Sequence, residues 1–235
     1  MITEQAGLYR LRMNKFKHEV TIYPVSCEKL AKGRSDIDWL QAVLAGGAKI
    51  VQLRDKESDD RTLFEKAAIF RRETTRAGAL FIVNNRLDIA LLTGADGIHL
   101  GNSDIPAQEA RRLAPDLIIG VSANTEEQAA TAASRGASYF NIGPLFPTNT
   151  KENLTTFLGP EAIKKFSALS PLPFTVMGGI KLEHVPELTD QGAQRIAVVT
   201  ALTMADDITL ATERWTVAIS TGLKGKDHPS SPQDH

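Results

Sequence analysis

Five times along the chain a Gly-Ala pair introduces an apolar run that closes in small or polar residues. The runs are GAKIVQLRDK from Gly47, GALFIVNN from Gly78, GADGIHLGNSD from Gly94, GASYFNIGP from Gly136 and GAQRIAVVT from Gly192. A glycine that ends a helix takes the left-handed conformation at little cost, and the chain then enters a strand. Continuous apolar runs, rather than alternating ones, suit strands covered by helices on both faces. The pattern predicts strands over residues 20–25, 49–53, 80–83, 97–100, 117–121, 138–142, 174–177 and 194–199. Helical signals lie between them. Ser35 opens a stretch that stops at Gly46-Gly47, and Asp59 is an N-cap type residue ahead of Leu63, Ala67, Phe70 and Thr74 at helical spacing. Pro106 suits a first helical turn, and Thr125 with Gln128 forms a capping-box pair. A loop over residues 143–159 precedes a helix from Pro160. Leu182, Val185 and Leu188 share one face of the next helix, and a last helix is expected over residues 206–219.

Eight strands alternating with eight helices predict an α/β fold, a (β/α)₈ TIM barrel in a single domain over residues 20–220. Residues 1–19 read as a charged leader. Residues 221–235 are polar and rich in Gly, Pro and Ser, and read as a disordered tail without a role in the chemistry. A doubly wound open sheet is the runner-up, because strand order is not legible in alternation alone. No Gly-rich dinucleotide fingerprint follows the first strand, which counts against it.

Charge changes the picture by exclusion. The chain of 235 residues carries 27 Lys and Arg against 28 Asp and Glu, a net charge of -1. It therefore lacks the basic field that would mark nucleic acid or an anionic membrane as a partner. No stretch is long and apolar enough to span a bilayer, and the first residues lack a signal-peptide core. A single cysteine, Cys27, excludes an intrachain disulfide framework. A cytoplasmic protein is expected, with monomer and homo-oligomer both left open.

Barrels of this kind place their active sites at the C-terminal strand ends. Those positions carry Gln52, Arg54 and Lys56, then Asn84 and Asn85, then Gly101, Ser103 and Asp104, then Ser122 and Asn124. The loop Gly143-Pro-Leu-Phe-Pro-Thr-Asn-Thr-Lys151, the pair Gly178-Gly179 and the pair Val199-Thr200 follow. The set is rich in cations, hydroxyls and amides, and has one carboxylate directly at a strand end. It contains no acid/base pair and no Ser-His-Asp order. It suits a phosphate or diphosphate ester. Gly178-Gly179 and Val199-Thr200 lie where many barrels bind phosphate on backbone amides. Asp104 is a candidate ligand for a Mg²⁺ that bridges diphosphate oxygens. Two anion sites across one mouth point to two phosphorylated substrates. Taken singly, Arg54 and Lys56 also read as solvated charges and Gly178-Gly179 as a turn. Asp96 reads as a strand-entry residue, His99 as part of the barrel wall and His184 as a surface helix residue.

At these residues the sequence resembles the thiamine phosphate synthase family, from about Thr21 to Asp207. The resemblance is carried by VQLRDK (51–56), FIVNNR (81–86), GADGIHLGNSDIP (94–106), IGVSANT (119–125), NIGPLFPTNTK (141–151), VMGGI (176–180) and IAVVTAL (196–202). It implies transfer of a hydroxymethylpyrimidine group from its diphosphate to a thiazole phosphate, giving thiamine phosphate and diphosphate, with Mg²⁺ as cofactor. Carried over by position, Gln52, Leu53, Arg54, Asp55 and Lys56 would contact the pyrimidine diphosphate, with Arg54 and Lys56 on its phosphates. Asn84 and Lys151 would hold the same diphosphate and Ser122 the same substrate. Arg54, Lys56 and Lys151 would neutralise the departing charge. Thr148, Asn149, Thr150, Gly179, Val199 and Thr200 would bind the thiazole phosphate, and Asp104 would be a Mg²⁺ ligand. One departure stands out. Where the family reads Asn-Asp after the third strand, this chain reads Asn84-Asn85, so the second metal position is an amide. Cys27 also stands near where the family often has Asp. The alternatives are a thiazole tautomerase-like isomerase of the same superfamily, or a non-catalytic phosphate-ester binding barrel. An isomerase would be expected to lose Arg54, Lys56, Asp104 and Lys151.

Overall fold

The computed structural model describes residues 2–148 and 156–225. Among them, eight strands, all parallel, alternate with helices. They are β1 (Ile22–Pro24), β2 (Ile50–Leu53), β3 (Leu80–Asn84), β4 (Gly97–Leu100), β5 (Ile118–Ala123), β6 (Tyr139–Ile142), β7 (Phe174–Val176) and β8 (Ile196–Val198). The sheet order is β1-β8-β7-β6-β5-β4-β3-β2. A parallel bridge between Val25 and Gln52, with the Ser26 N–H donating to the Gln52 carbonyl at 2.9 Å, joins the two ends into a barrel. This is the expected TIM barrel, and an open doubly wound sheet is excluded.

The Gly-Ala pairs do what their sequence suggests, and by one repeated device. All five glycines have positive φ, between 63° and 108°. In each pair the Ala N–H reaches back to the carbonyl five residues earlier and the Gly N–H to the carbonyl three earlier, as in Ala95 to Ala90 at 2.9 Å and Gly94 to Leu91 at 3.3 Å. This is the Schellman closure of a helix. The alanine that follows is buried in every case and starts the descent into the barrel wall.

Helix starts follow the sequence as well. Ser35 and Thr125 make capping boxes with Asp38 and Gln128, at the heads of α2 (Asp36–Ala45) and α6 (Glu126–Thr131). Asp59 caps α3 (Asp60–Arg76) through the Thr62 N–H. Pro106 sits at the N-cap of α5 (Ala107–Leu113), one position outside the turn expected for it. The last helix, α10 (Ile208–Lys224), runs past the expected stop, so the first residues assigned to the tail are helical. The rest of that tail, 226–235, lies outside the described residues.

The residues read as a charged leader form a helix, α1 (Ile2–His18). It closes the N-terminal mouth of the barrel. Phe16 is fully buried and its ring lies 4.6 Å from that of Tyr139. Arg12 bonds Asp96 at 3.2 Å and Asp116 at 2.8 Å, both at strand entries, and Arg195 donates to the Phe16 carbonyl at 2.9 Å. Asp96 also holds Arg71 and the Phe81 N–H, so its role is in the barrel base, as its strand-entry position suggests.

Two apolar clusters show that the strands alternate after all. One fills the layer between sheet and helices and takes Val51, Leu53, Phe81, Val83, Ile98, Ile119, Phe140 and Ile142. The other fills the lumen and takes Tyr23, Val25, Ile50, Leu80, Ile82, Ile118, Tyr139, Ala197 and Val199. Both faces are apolar at the base, so the run reads as continuous. Towards the C-terminal ends the inward positions turn polar.

Candidate active site

Inward-facing polar residues floor a cavity at the C-terminal end of the barrel. The Tyr23 and Tyr139 hydroxyls are 3.0 Å apart, and Gln52 Nε2 donates to the Tyr23 hydroxyl at 2.9 Å. His99 bridges upward, with Nδ1 3.1 Å from the Tyr139 hydroxyl and Nε2 3.2 Å from Ser122 Oγ. Thr175 donates to Asn141 Oδ1 at 2.8 Å. Burial pushes both tyrosines above their usual range, so they stay neutral. Gly120 leaves the room that the Tyr139 ring fills, since a Cβ there would lie 2.1 Å from Tyr139 Cζ.

Above this hydrogen-bonded floor lies a cavity of about 1390 Å³, spacious enough for two small ligands together. Gln52, Arg54, Asp55, Lys56, Asn84, Asn85, Asp104, Ser122, Thr148, Gly179, Val199 and Thr200 all line it. The structure thus brings together every described residue that the resemblance placed in the site except Leu53. Leu53 is outward-facing and packs in the layer under the helices, so its side chain does not reach the cavity. Asn149, Thr150 and Lys151 lie outside the described residues.

The cavity has two unlike sides. On the β2–β4 side Arg54 and Lys56 follow β2. The Arg54 N–H is fixed by Ser26 Oγ at 3.1 Å, and its guanidinium touches Cys27 Sγ at 3.8 Å. Asn85 has a left-handed φ of 66° and its amide donates to Asp104 Oδ2, which also accepts the Gly101 N–H at 2.6 Å. On the β7–β8 side, Gly178 and Gly179 have φ of 105° and 62°. A Cβ on Gly178 would lie 2.5 Å from Pro144 Cβ, and one on Gly179 would lie 2.3 Å from the Pro147 carbonyl. The pair is therefore more than a turn: it lets the loop after β6 lie directly on the end of β7. The Leu145 and Phe146 N–H groups donate to Met177 and Gly178 carbonyls at 3.0 Å each. The Phe146 ring stacks 4.1 Å from that of His184, which is half-buried on a 3₁₀ turn rather than on a surface helix face. Thr200 opens the short α9 (Thr200–Thr203) at the end of β8.

Sequence reading missed an acidic cluster on the rim. Glu28, Asp36 and Asp55 bring one carboxylate oxygen each within 4.8 Å of one another. Lys66 of α3 sits among them, bonded to Glu28, 2.8 Å from Asp55 and 3.4 Å from Asp36. Burial pushes the Asp36 carboxyl up to about 6, against the pull of Lys66. Asp55 is held well below its usual range, because hydrogen bonds from Lys66, Ser58 and Glu57 outweigh its burial. The Asp55 side chain is thus committed to its own loop. No local signal pairs Lys66 with Asp36, 30 residues away.

Comparisons with known proteins identify the family. The sequence model of the family described as thiamine monophosphate synthase matches residues 22–202. Over 195 residues the chain is 42% identical to the thiamine-phosphate synthase of Methanospirillum hungatei, covering 83% of this chain and 95% of the relative. Over 191 residues it is 41% identical to that of Methanoculleus marisnigri, covering 81% and 90%. Its fold superposes on a thiamine phosphate pyrophosphorylase from Pyrococcus furiosus with a TM-score of 0.82 at 31% identity, covering 88% of this chain and 99% of the other. The chain is an enzyme of the transferase class and belongs to the thiamine monophosphate synthase family.

Proposed function

We propose that the protein transfers the hydroxymethylpyrimidine group from its diphosphate to the ring nitrogen of a thiazole phosphate, releasing inorganic diphosphate and thiamine phosphate, with Mg²⁺ as cofactor. The observation that carries this reading is the division of one cavity into a cationic side at Arg54 and Lys56 and a glycine-backed side at Gly178-Gly179, over a hydrogen-bonded floor.

The bond that breaks joins the pyrimidine methylene to the diphosphate oxygen, and the electron pair leaves with the diphosphate. Arg54 and Lys56 neutralise the charge that grows there, with Lys151 as the third cation carried over by sequence. The aminopyrimidine ring stabilises its own methylene cation, so no protein nucleophile is called for. Gln52 and Ser122 orient the ring from the floor. The thiazole nitrogen then supplies the pair for the new C–N bond. Its phosphate is anchored by Thr148, Gly179, Val199 and Thr200, with Asn149 and Thr150 from the same loop. Holding the thiazole beside the cation favours its capture over capture by water.

Asp104 offers a carboxylate and Asn85 an amide carbonyl, oxygen donors of the kind Mg²⁺ takes together with water and substrate phosphates. They fit the ion, with one negative charge fewer than a carboxylate pair would bring. When bound, the ion adds positive charge to the departing diphosphate. Retention of Arg54, Lys56 and Asp104 favours transfer over isomerisation. Incubation of the purified protein with both substrates and Mg²⁺ tests the reading. Thiamine phosphate is the expected product. Interconversion of thiazole isomers alone would indicate an isomerase, and binding without turnover a binding barrel.

A further inference from the structure

We propose that Lys66 is a positioning residue: it clamps the loop between β2 and α3 in the shape that presents Arg54 and Lys56 to a diphosphate. The inference rests on the diphosphate-binding role proposed above for that side of the cavity. Lys66 stands on α3, and its ammonium gathers three carboxylates from three other segments. Glu28 comes from the 3₁₀ turn after β1 (Glu28–Leu30) and Asp36 from the first residue of α2. Asp55 comes from the β2–α3 loop itself, between the two cations.

The loop is held from both sides. Asp55 Oδ1 accepts the Glu57 and Ser58 N–H groups at 3.0 Å each, and its Oδ2 accepts Ser58 Oγ at 2.6 Å and Lys66 Nζ at 2.8 Å. The Asp55 side chain is 5% exposed, turned away from solvent and into the clamp. Its neighbour Arg54 is fixed through its N–H to the buried Ser26 hydroxyl. Asp36 is 1% exposed, and its Oδ1 has no hydrogen-bond partner among the described residues. Lys66 is therefore its main compensating charge. Without the ammonium, three carboxylates would remain within 4.8 Å, two of them nearly out of water. Repulsion at that range drives the β1 and β2 loops apart, or forces proton uptake. Either outcome loosens Asp55 and, with it, the cations on each side.

The test compares Lys66→Met, Lys66→Arg and the double variant Lys66→Met with Asp36→Asn. Calorimetry with inorganic diphosphate and Mg²⁺ reads the clamp without turnover, and steady-state kinetics give KM for each substrate separately. Loss of positioning should weaken diphosphate binding and raise KM for the pyrimidine diphosphate in Lys66→Met on the order of ten- to a hundredfold. KM for the thiazole phosphate, bound on the far side, should stay within about twofold. Lys66→Arg should restore both values, and Asp36→Asn should recover part of the loss by removing one of the opposed charges. Unchanged diphosphate affinity in Lys66→Met would overturn the proposal. So would equal losses for the two substrates, or a Lys66→Arg protein no better than Lys66→Met. If Lys66→Met fails to fold, the double variant and Lys66→Arg carry the same comparison. Absence of thiamine phosphate formation by the unmodified protein would defeat the functional reading, while the calorimetric comparison would still decide the role of Lys66.

Discussion

Asn85 and Asp104 are in direct contact: the Asn85 amide donates to Asp104 Oδ2. Asn85→Asp removes that bond and sets two carboxylates side by side. Loss of a hydrogen bond to a charged group costs about 1.5–3 kcal/mol. Two like charges about 4 Å apart repel by about 4 kcal/mol at an effective dielectric near 20. Both residues are half-buried, so solvent and proton uptake reduce the second contribution. A net destabilisation of about 2–4 kcal/mol at pH 8 in chelator corresponds to a fall in Tm of roughly 5–15 °C for a chain of this size. Mg²⁺ reverses the sign, because the second carboxylate becomes a ligand. Thermal unfolding in chelator and across a Mg²⁺ titration should show a lower starting Tm and a larger rise for Asn85→Asp. The Mg²⁺ concentration for half-maximal turnover should fall. A variant with the parent's half-saturation and the parent's metal-free Tm would refute the placement of the metal between these two residues.

Other perturbations separate the parts of the site. Arg54→Met should lower kcat by about 10²–10³ in steady-state assays, as expected for one lost donor to developing charge. Gly179→Ala should raise KM for the thiazole phosphate and destabilise the fold by at least about 1–2 kcal/mol in urea titrations, from the left-handed φ of 62° alone. Tyr139→Phe leaves Tyr23 and His99 without a shared partner and should cost about 1–3 kcal/mol of stability by the same measurement. Asp36, an acid whose folded pKa is raised to about 6, binds its proton more tightly folded than unfolded. Its contribution therefore favours folding at low pH and is lost as pH rises from about 4 to 6. Asp36→Asn should flatten that part of the stability–pH profile.

Much of this barrel was legible in the chain because its helix ends are written locally. Gly94 and Ala95 need only the preceding turn to close a helix, and Ser35 and Thr125 need only the residue three positions on. Strand-end chemistry follows from the barrel rule, which places Arg54, Asn84, Asp104 and Ser122 at one mouth from their sequence positions alone. The features that escaped are long-range. α1 shows little apolar periodicity of its own, and it docks through Arg12 to Asp96 and Asp116, 84 and 104 residues away. Leu53 sits between site residues in sequence, but a step of one residue along a strand turns a side chain from lumen to helix layer. The Lys66 clamp joins three segments whose proximity exists only after the barrel closes.

The central claim is that one cavity holds both phosphorylated substrates and joins them before water intervenes. A single turnover with both substrates and Mg²⁺, quenched and quantified for thiamine phosphate, diphosphate and the free pyrimidine alcohol, tests it most directly. One diphosphate released per thiamine phosphate formed, with no alcohol, is the expected result. Diphosphate released in excess alongside pyrimidine alcohol, or no release at all, would contradict it.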